Sequence, residues 1–166
     1  MHGFRARAFL VMTTAVLLTA CSGSSTPTAT PAGGGGDVSS IKACSLLTPA
    51  EIQTALGVPM KDGLEQDSSG QVACNWDAQD NTESTAASIS VATYDDAIWQ
   101  TFSHAQGATP VSGFGEAAFS GYPVSGDLSI KQGGYIIDIG VAYFGSDQAR
   151  VTAADSTFAT LVLSRL

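Results

Sequence analysis

The sequence predicts an α+β fold: a mainly antiparallel sheet packed with about three helices, with a pair of cysteines suited to one disulfide. Three observations point to it. One helix start has its cap, proline and carboxylate in agreement. One glycine-centred hairpin pairs apolar with apolar and polar with polar across its arms. The element order reads helix, strands, helix, strands, helix, joined by hairpins rather than regular crossovers.

The chain has 166 residues, room for one ordinary domain. It divides into a signal peptide over residues 1–20, a lipidated Cys21 with a linker over 21–40, and a single α+β domain over 41–166. Arg5 and Arg7 form a basic start, and Ala8 to Leu18 is apolar except for Thr13 and Thr14. That run falls short of the about 20 residues a membrane helix needs and fits a secretion signal. Leu18-Thr19-Ala20-Cys21 resembles the bacterial lipobox. The resemblance implies cleavage before Cys21 and a diacylglyceryl group on its sulfur, with palmitate-type acyl chains as the membrane anchor. Two or three chains hold stably where one is marginal.

Ser22 to Ser40 is almost wholly Ser, Thr, Pro, Ala and Gly, with Asp37 and Val38 the exceptions, so it is expected to be disordered, with a reach of roughly 25 Å. Its Gly33–Gly36 run lacks the Gly-Lys-Ser/Thr ending of a phosphate loop. Its Ser and Thr residues beside Pro27 and Pro31 have the composition of an O-glycosylated tract.

Charge excludes some partners. The formal net charge is −8. Beyond Cys21 the bases are Lys42, Lys61, Lys131, Arg150 and Arg165, against all 15 acids. Such a surface repels phosphates, which argues against nucleic acid and against electrostatic docking on anionic lipid.

In the domain, Thr48 is placed as an N-cap, Pro49 at the first helical position and Glu51 to close a capping box. Leu47 and Ile52 are spaced as a hydrophobic staple, Ile52 and Leu56 face inward, and Gly57 stops the helix. A polar loop follows. Val72 to Asp77 then reads as a strand, and Ala87, Ile89, Val91 and Thr93 alternate with small residues as a second. Asp95 and Asp96 offer a cap for a helix with the stripe Ile98, Trp99, Phe102 and Ala105, stopped at Gly107. In the hairpin Leu128 to Phe144, a turn at Gly133-Gly134 pairs Ile130 with Ile137, Leu128 with Ile139 and Ser129 with Asp138. From Ser146 a last helix buries Val151, Ala154, Phe158 and Leu161 or Val162.

Cys44 and Cys74 form a disulfide candidate in an exported chain. Metal binding is the rival and is poorly supported. His104 is the one histidine beyond the signal, and neither Cys-x-x-Cys nor His-Glu-x-x-His occurs, so no metal and no cofactor is expected.

Cys44-Ser45-Leu46-Leu47-Thr48-Pro49-Ala50-Glu51-Ile52, Leu56-Gly57 and Cys74-Asn75-Trp76 together resemble a domain of unknown function common in actinobacterial lipoproteins. Its pattern is similar: a Cys-Ser-Leu-Leu-Thr opening, a Glu in the helix, a Gly after it and a Cys-x-Trp strand. Gly113-Phe114-Gly115-Glu116-Ala117-Ala118 is similar to its middle segment. The resemblance runs from Cys44 to the C-terminus. It implies a Cys44–Cys74 disulfide and a mycobacterial-type envelope, and it carries no activity.

Other constellations are weak. Gly113–Ala118 fits the loose dinucleotide fingerprint but follows no strong strand, and Pro123 breaks any helix after it. Asp77, Asp80, Asn81 and Glu83 lack the spacing of a calcium loop. His104 with Asp95 and Asp96 has no nucleophile elbow. Glu51 and Glu116 are the carboxylates a hydrolase reading would use, although Glu51 already has a capping role. Trp76, Trp99 and Tyr143, with Tyr135 and Phe144, could line a ligand pocket or simply form core.

The expected role is therefore a non-enzymatic, membrane-anchored envelope lipoprotein binding a small apolar ligand or an envelope protein. The alternatives are a cell-wall hydrolase working through carboxylates and a structural scaffold.

Overall fold

Thr48 does what its position demands. In the computed structural model, Glu51 N–H donates to Thr48 Oγ1 at 3.3 Å and Thr48 N–H donates to Glu51 Oε2 at 2.9 Å, a complete capping box on α1 (Pro49–Leu56). Gly57 ends α1 in the left-handed conformation, and Leu47, Ile52 and Leu56 are fully buried. The structure describes residues 36–68, 70–80, 85–121, 127–143 and 147–166. The signal segment, Cys21 and most of the linker lie outside these residues. Packing starts ahead of Ile41: a 3-10 turn at Val38–Ser40 buries Val38, and Thr93 Oγ1 donates to Gly36 O.

After α1 come β1 (Leu64–Ser68), β2 (Gln71–Asp77) and β3 (Ala86–Thr93), then α2 (Asp96–Ser103). Next are β4 (Thr109–Val111), β5 (Ala117–Ser120), β6 (Leu128–Gln132) and β7 (Tyr135–Ala142), and α3 (Gln148–Leu163) closes the chain. The seven strands form one antiparallel sheet in the order β1-β2-β3-β7-β6-β5-β4. The fold is α+β with three α-helices, and the Cys44–Cys74 disulfide is formed.

The hairpin register is the expected one: Leu128 opposite Ile139, Ser129 opposite Asp138, Ile130 opposite Ile137. Gly133 and Gly134 both take positive φ, 58° and 86°, as a two-residue turn matched to strand twist requires. Three strands were not expected. β1 falls in the polar loop and is exposed along its whole length, while β4 precedes the Gly113–Ala118 segment and β5 begins within it.

Alternation gives the sheet two unlike faces. Val72, Cys74, Trp76, Ile89, Val91, Ile137 and Ile139 point to one side, where Ile52 and Leu56 of α1 and Val151, Ala154, Phe158 and Val162 of α3 complete the main core. The other face carries Ala73, Asn75, Ser88, Ser90, Ser129 and Asp138, and α2 covers only one part of it. There Trp99 meets Phe119 edge-on at 5.1 Å between ring centres, with Ile136 beside them. Ile98, expected on the buried stripe, is 47% exposed, because α2 presents only the side bearing Trp99 and Phe102 to the sheet.

The C-terminus is tied back to α1. Arg165 Nη1 donates to Leu46 O at 2.7 Å and to Glu51 Oε2 at 3.0 Å, and Nη2 also pairs with Glu51. The Arg165 hydrogen bonds hold the Glu51 pKa down at about 2. A depressed carboxylate stabilises the fold above its unfolded value of 4.5, and that contribution is lost as pH falls toward about 2. Both side chains are partly solvated, so Arg165→Ala is expected to cost only about 1 kcal/mol at pH 7. Urea unfolding at pH 7 and pH 2 should show that difference shrinking in acid.

Candidate ligand groove

The sheet is wider than the helices that cover its core face. Helix α3 packs on α1 and on β7. Beside it, toward β6, β5 and β4, the covering stops and a groove of about 370 Å³ opens, within the usual range for small-molecule sites. Val111, Phe114 and Leu128 supply its apolar wall, with Ser120 and Gly121, and α3 supplies Gln148, Thr152, Asp155 and Ser156.

The helical wall follows from spacing. Residues 148, 152, 155 and 156 recur at helical intervals and share one side of α3, next to the side that carries Val151, Ala154, Phe158 and Val162 into the core. Two of these polar residues are turned inward on the helix itself. Thr152 Oγ1 donates to Gln148 O at 3.1 Å and Ser156 Oγ donates to Thr152 O at 2.9 Å. Their hydroxyl protons are engaged, so the wall is less polar than its composition.

Asp155 is different. It is 5% exposed, and its Oδ1 has no hydrogen-bond partner among the described residues. Burial, and then the negative charge of Asp127 just ahead of β6, push its carboxyl pKa up to about 8, so it holds its proton at neutral pH. A buried oxygen left without a partner costs on the order of 1–3 kcal/mol.

A second, more polar groove of about 240 Å³ lies on the opposite face, lined by Gln66, Asn75, Ser88, Ser90 and Asp138 among others. Burial raises the Asp138 pKa, but this carboxyl is satisfied: Ser129 Oγ donates to it at 2.6 Å and Ser90 Oγ at 3.4 Å.

The aromatic candidates are not brought together. Trp76 is sealed in the main core, Trp99 sits in the small cluster on the opposite face, and Tyr143 packs at the edge of the main core with Arg150 5.8 Å from its ring centre. Phe144 lies outside the described residues. Glu51 caps α1, while Glu116 accepts from Gly133 N–H at 2.9 Å and pairs with Lys131, so each serves its own local contact. Asp95 caps α2, Asp96 accepts from the Tyr94 hydroxyl, and His104 caps the end of α2 through Gln100 O. Asp77 closes β2, and Asn81 and Glu83 lie outside the described residues. Among the described residues no three His, Cys, Asp or Glu side chains are grouped to hold a metal, and no helix is long and apolar enough to cross a membrane.

Asp155 was missed from the sequence. The available signal was a charged residue four places after Val151 and three before Phe158, inside a stripe that is otherwise apolar or small.

Fold and groove together define a disulfide-bonded α+β domain, its sheet helix-covered mainly on one face, with an apolar cleft beside the C-terminal helix. The chain belongs to the DUF3558 family, proteins of unknown function, whose pattern it matches over residues 16–134. That span runs through β6 and ends in the β6–β7 turn, so β7 and α3 lie beyond it. The chain matches no curated protein and no solved structure.

Proposed function

We propose that the chain is an exported envelope protein, anchored to the extracytoplasmic face of the cell membrane through lipid on Cys21, whose domain is a non-catalytic binder of a small, largely apolar molecule. The groove between α3 and β4–β6 carries the reading: its size, its wall of Val111, Phe114 and Leu128, and one buried polar group set among them. The engagement of Glu51 and Glu116 in structural contacts supports binding over carboxylate hydrolysis. The lipobox and the apolar segment before it support the anchor.

Two measurements test the two halves. Cys21→Ser is expected to move the protein from the membrane fraction to the soluble exported fraction. A variant that stayed with the membrane would end the lipid-anchor reading. The full-length Cys21→Ser chain, titrated with the neutral apolar probe N-phenyl-1-naphthylamine, is expected to shift amide signals of Val111, Phe114, Leu128 and Thr152. Ser156→Trp, which fills the groove from its helical wall, should weaken that binding by about tenfold or more, the loss of one good apolar contact surface. Shifts confined to the opposite face would dismiss the groove.

A further inference from the structure

We propose that the groove takes an apolar amine, its ammonium docking on Asp155 while its hydrocarbon lies against Val111, Phe114 and Leu128. The inference rests on the groove being the binding site. It adds the chemistry of the ligand's polar end.

Four observations carry it. Among the described residues Asp155 is the one lining side chain able to bear charge, and neither lysine nor arginine lines the groove, so it holds no cationic group to pair with an anion. The Thr152 and Ser156 hydroxyl protons are already donated to the helix backbone, so they are not donors for a carboxylate or phosphate. The Asp155 carboxyl is nineteen-twentieths buried with one oxygen unpartnered, and an ammonium that takes it up as a carboxylate supplies a donor to that oxygen. Asp127 adds negative potential at that same carboxyl, and the chain as a whole carries a formal −8, which draws cations toward the cleft.

A cation answers all four at once. An alcohol would supply one neutral hydrogen bond and no charge. An ammonium supplies several donors, and its charge holds Asp155 ionised. Because the empty site is protonated at neutral pH, docking releases one proton: carboxylic acid and ammonium become a carboxylate–ammonium pair and a solvated proton. Asp155 is the titratable side chain lining this groove; Asp127, whose charge reaches it, lines the groove on the opposite face. Amine affinity is therefore expected to rise as pH goes from 6 toward 8, by up to roughly tenfold per unit, and to level off above the Asp155 pKa of about 8.

The test is a matched series of octylammonium, octan-1-ol and octanoate, titrated into the full-length Cys21→Ser chain and followed by amide shifts. Octylammonium is expected to bind about tenfold tighter than octanol at pH 8, a gap typical of a charge-assisted contact, with octanoate weakest. Asp155→Asn keeps the shape and removes the charge. It should bring octylammonium down to the octanol value, leave octanol binding intact and abolish the pH dependence. Octanol matching octylammonium in the unsubstituted groove would overturn the amine assignment and leave the apolar groove standing, as would an Asn variant that kept the amine preference. Failure of all three ligands to shift β4–β6 or α3 would overturn the groove reading itself.

Discussion

Replacing Cys44 and Cys74 together by Ala is expected to lower folding stability by about 3–4 kcal/mol, read as a fall in the urea midpoint. The bond joins residues 30 apart, and cutting it returns that loop's closure entropy to the unfolded chain. The native side loses as well, because Cys74 is fully buried on the core face of β2 next to Trp76. The 3-10 turn Ala43–Ser45, which places Cys44, sits on β1, β2 and β3, and the turn leads directly into the Thr48 cap of α1. Loosening it should therefore expose amides of α1 to hydrogen exchange before those of β3 and β7, which hold the middle of the sheet. A steeper dependence on urea should accompany the lower midpoint, since the uncrosslinked unfolded chain exposes more surface. A double variant within about 1 kcal/mol of the parent would show that core burial, not the crosslink, holds this corner.

What could be read from the sequence was local or strictly periodic. The Thr48–Glu51 box and the Gly133-Gly134 turn are decided by neighbours a few residues apart, and both stand in the structure as expected. β2 and β3 announced themselves because one face is buried and the other is not, so the period of two is written into them. β1 could not be found this way. Leu64-Glu65-Gln66-Asp67-Ser68 is exposed on both faces at the sheet edge, so its strand state comes from pairing with β2 and leaves no hydrophobic pattern. β5 was hidden for the opposite reason: Ala118 and Phe119 are both buried, one in each core cluster, which erases alternation. The groove was less legible still. Val111 and Phe114, Leu128, and Asp155 come from three separate stretches, and they meet only because β4–β6 extend past the reach of α3. The aromatic residues that looked most like a site, Trp76 and Trp99, fill two different cores.

Asp155→Leu is expected to make the protein more stable, by about 3 kcal/mol at pH 8, and the part of the gain linked to ionisation should vanish near pH 4. The sign follows from the direction of the shift. The carboxyl titrates near 3.8 when unfolded and near 8 when folded, so folding in that window takes up a proton. Parental stability is full below pH 3.8 and declines as pH rises, until the folded carboxyl also ionises around pH 8. Above that value the deficit is constant. The full conversion of the shift would exceed 3 kcal/mol; water in the groove beside the carboxyl screens part of it, which sets the lower figure. Leucine keeps the helix, removes the orphaned oxygen and has the groove to expand into. The measurement is the difference in unfolding free energy between parent and variant across pH 4 to 9. A flat difference would mean that Asp155 is solvated or partnered when folded, and it would remove the electrostatic basis of the amine site. A difference that grows with pH would identify a residue kept at the expense of stability, the pattern expected where a buried acid serves a ligand rather than the fold. In that case saturating octylammonium should protect the parent more strongly than the leucine variant, and more strongly at pH 8 than at pH 6, because only the ionised parent groove offers the cation its counter-charge.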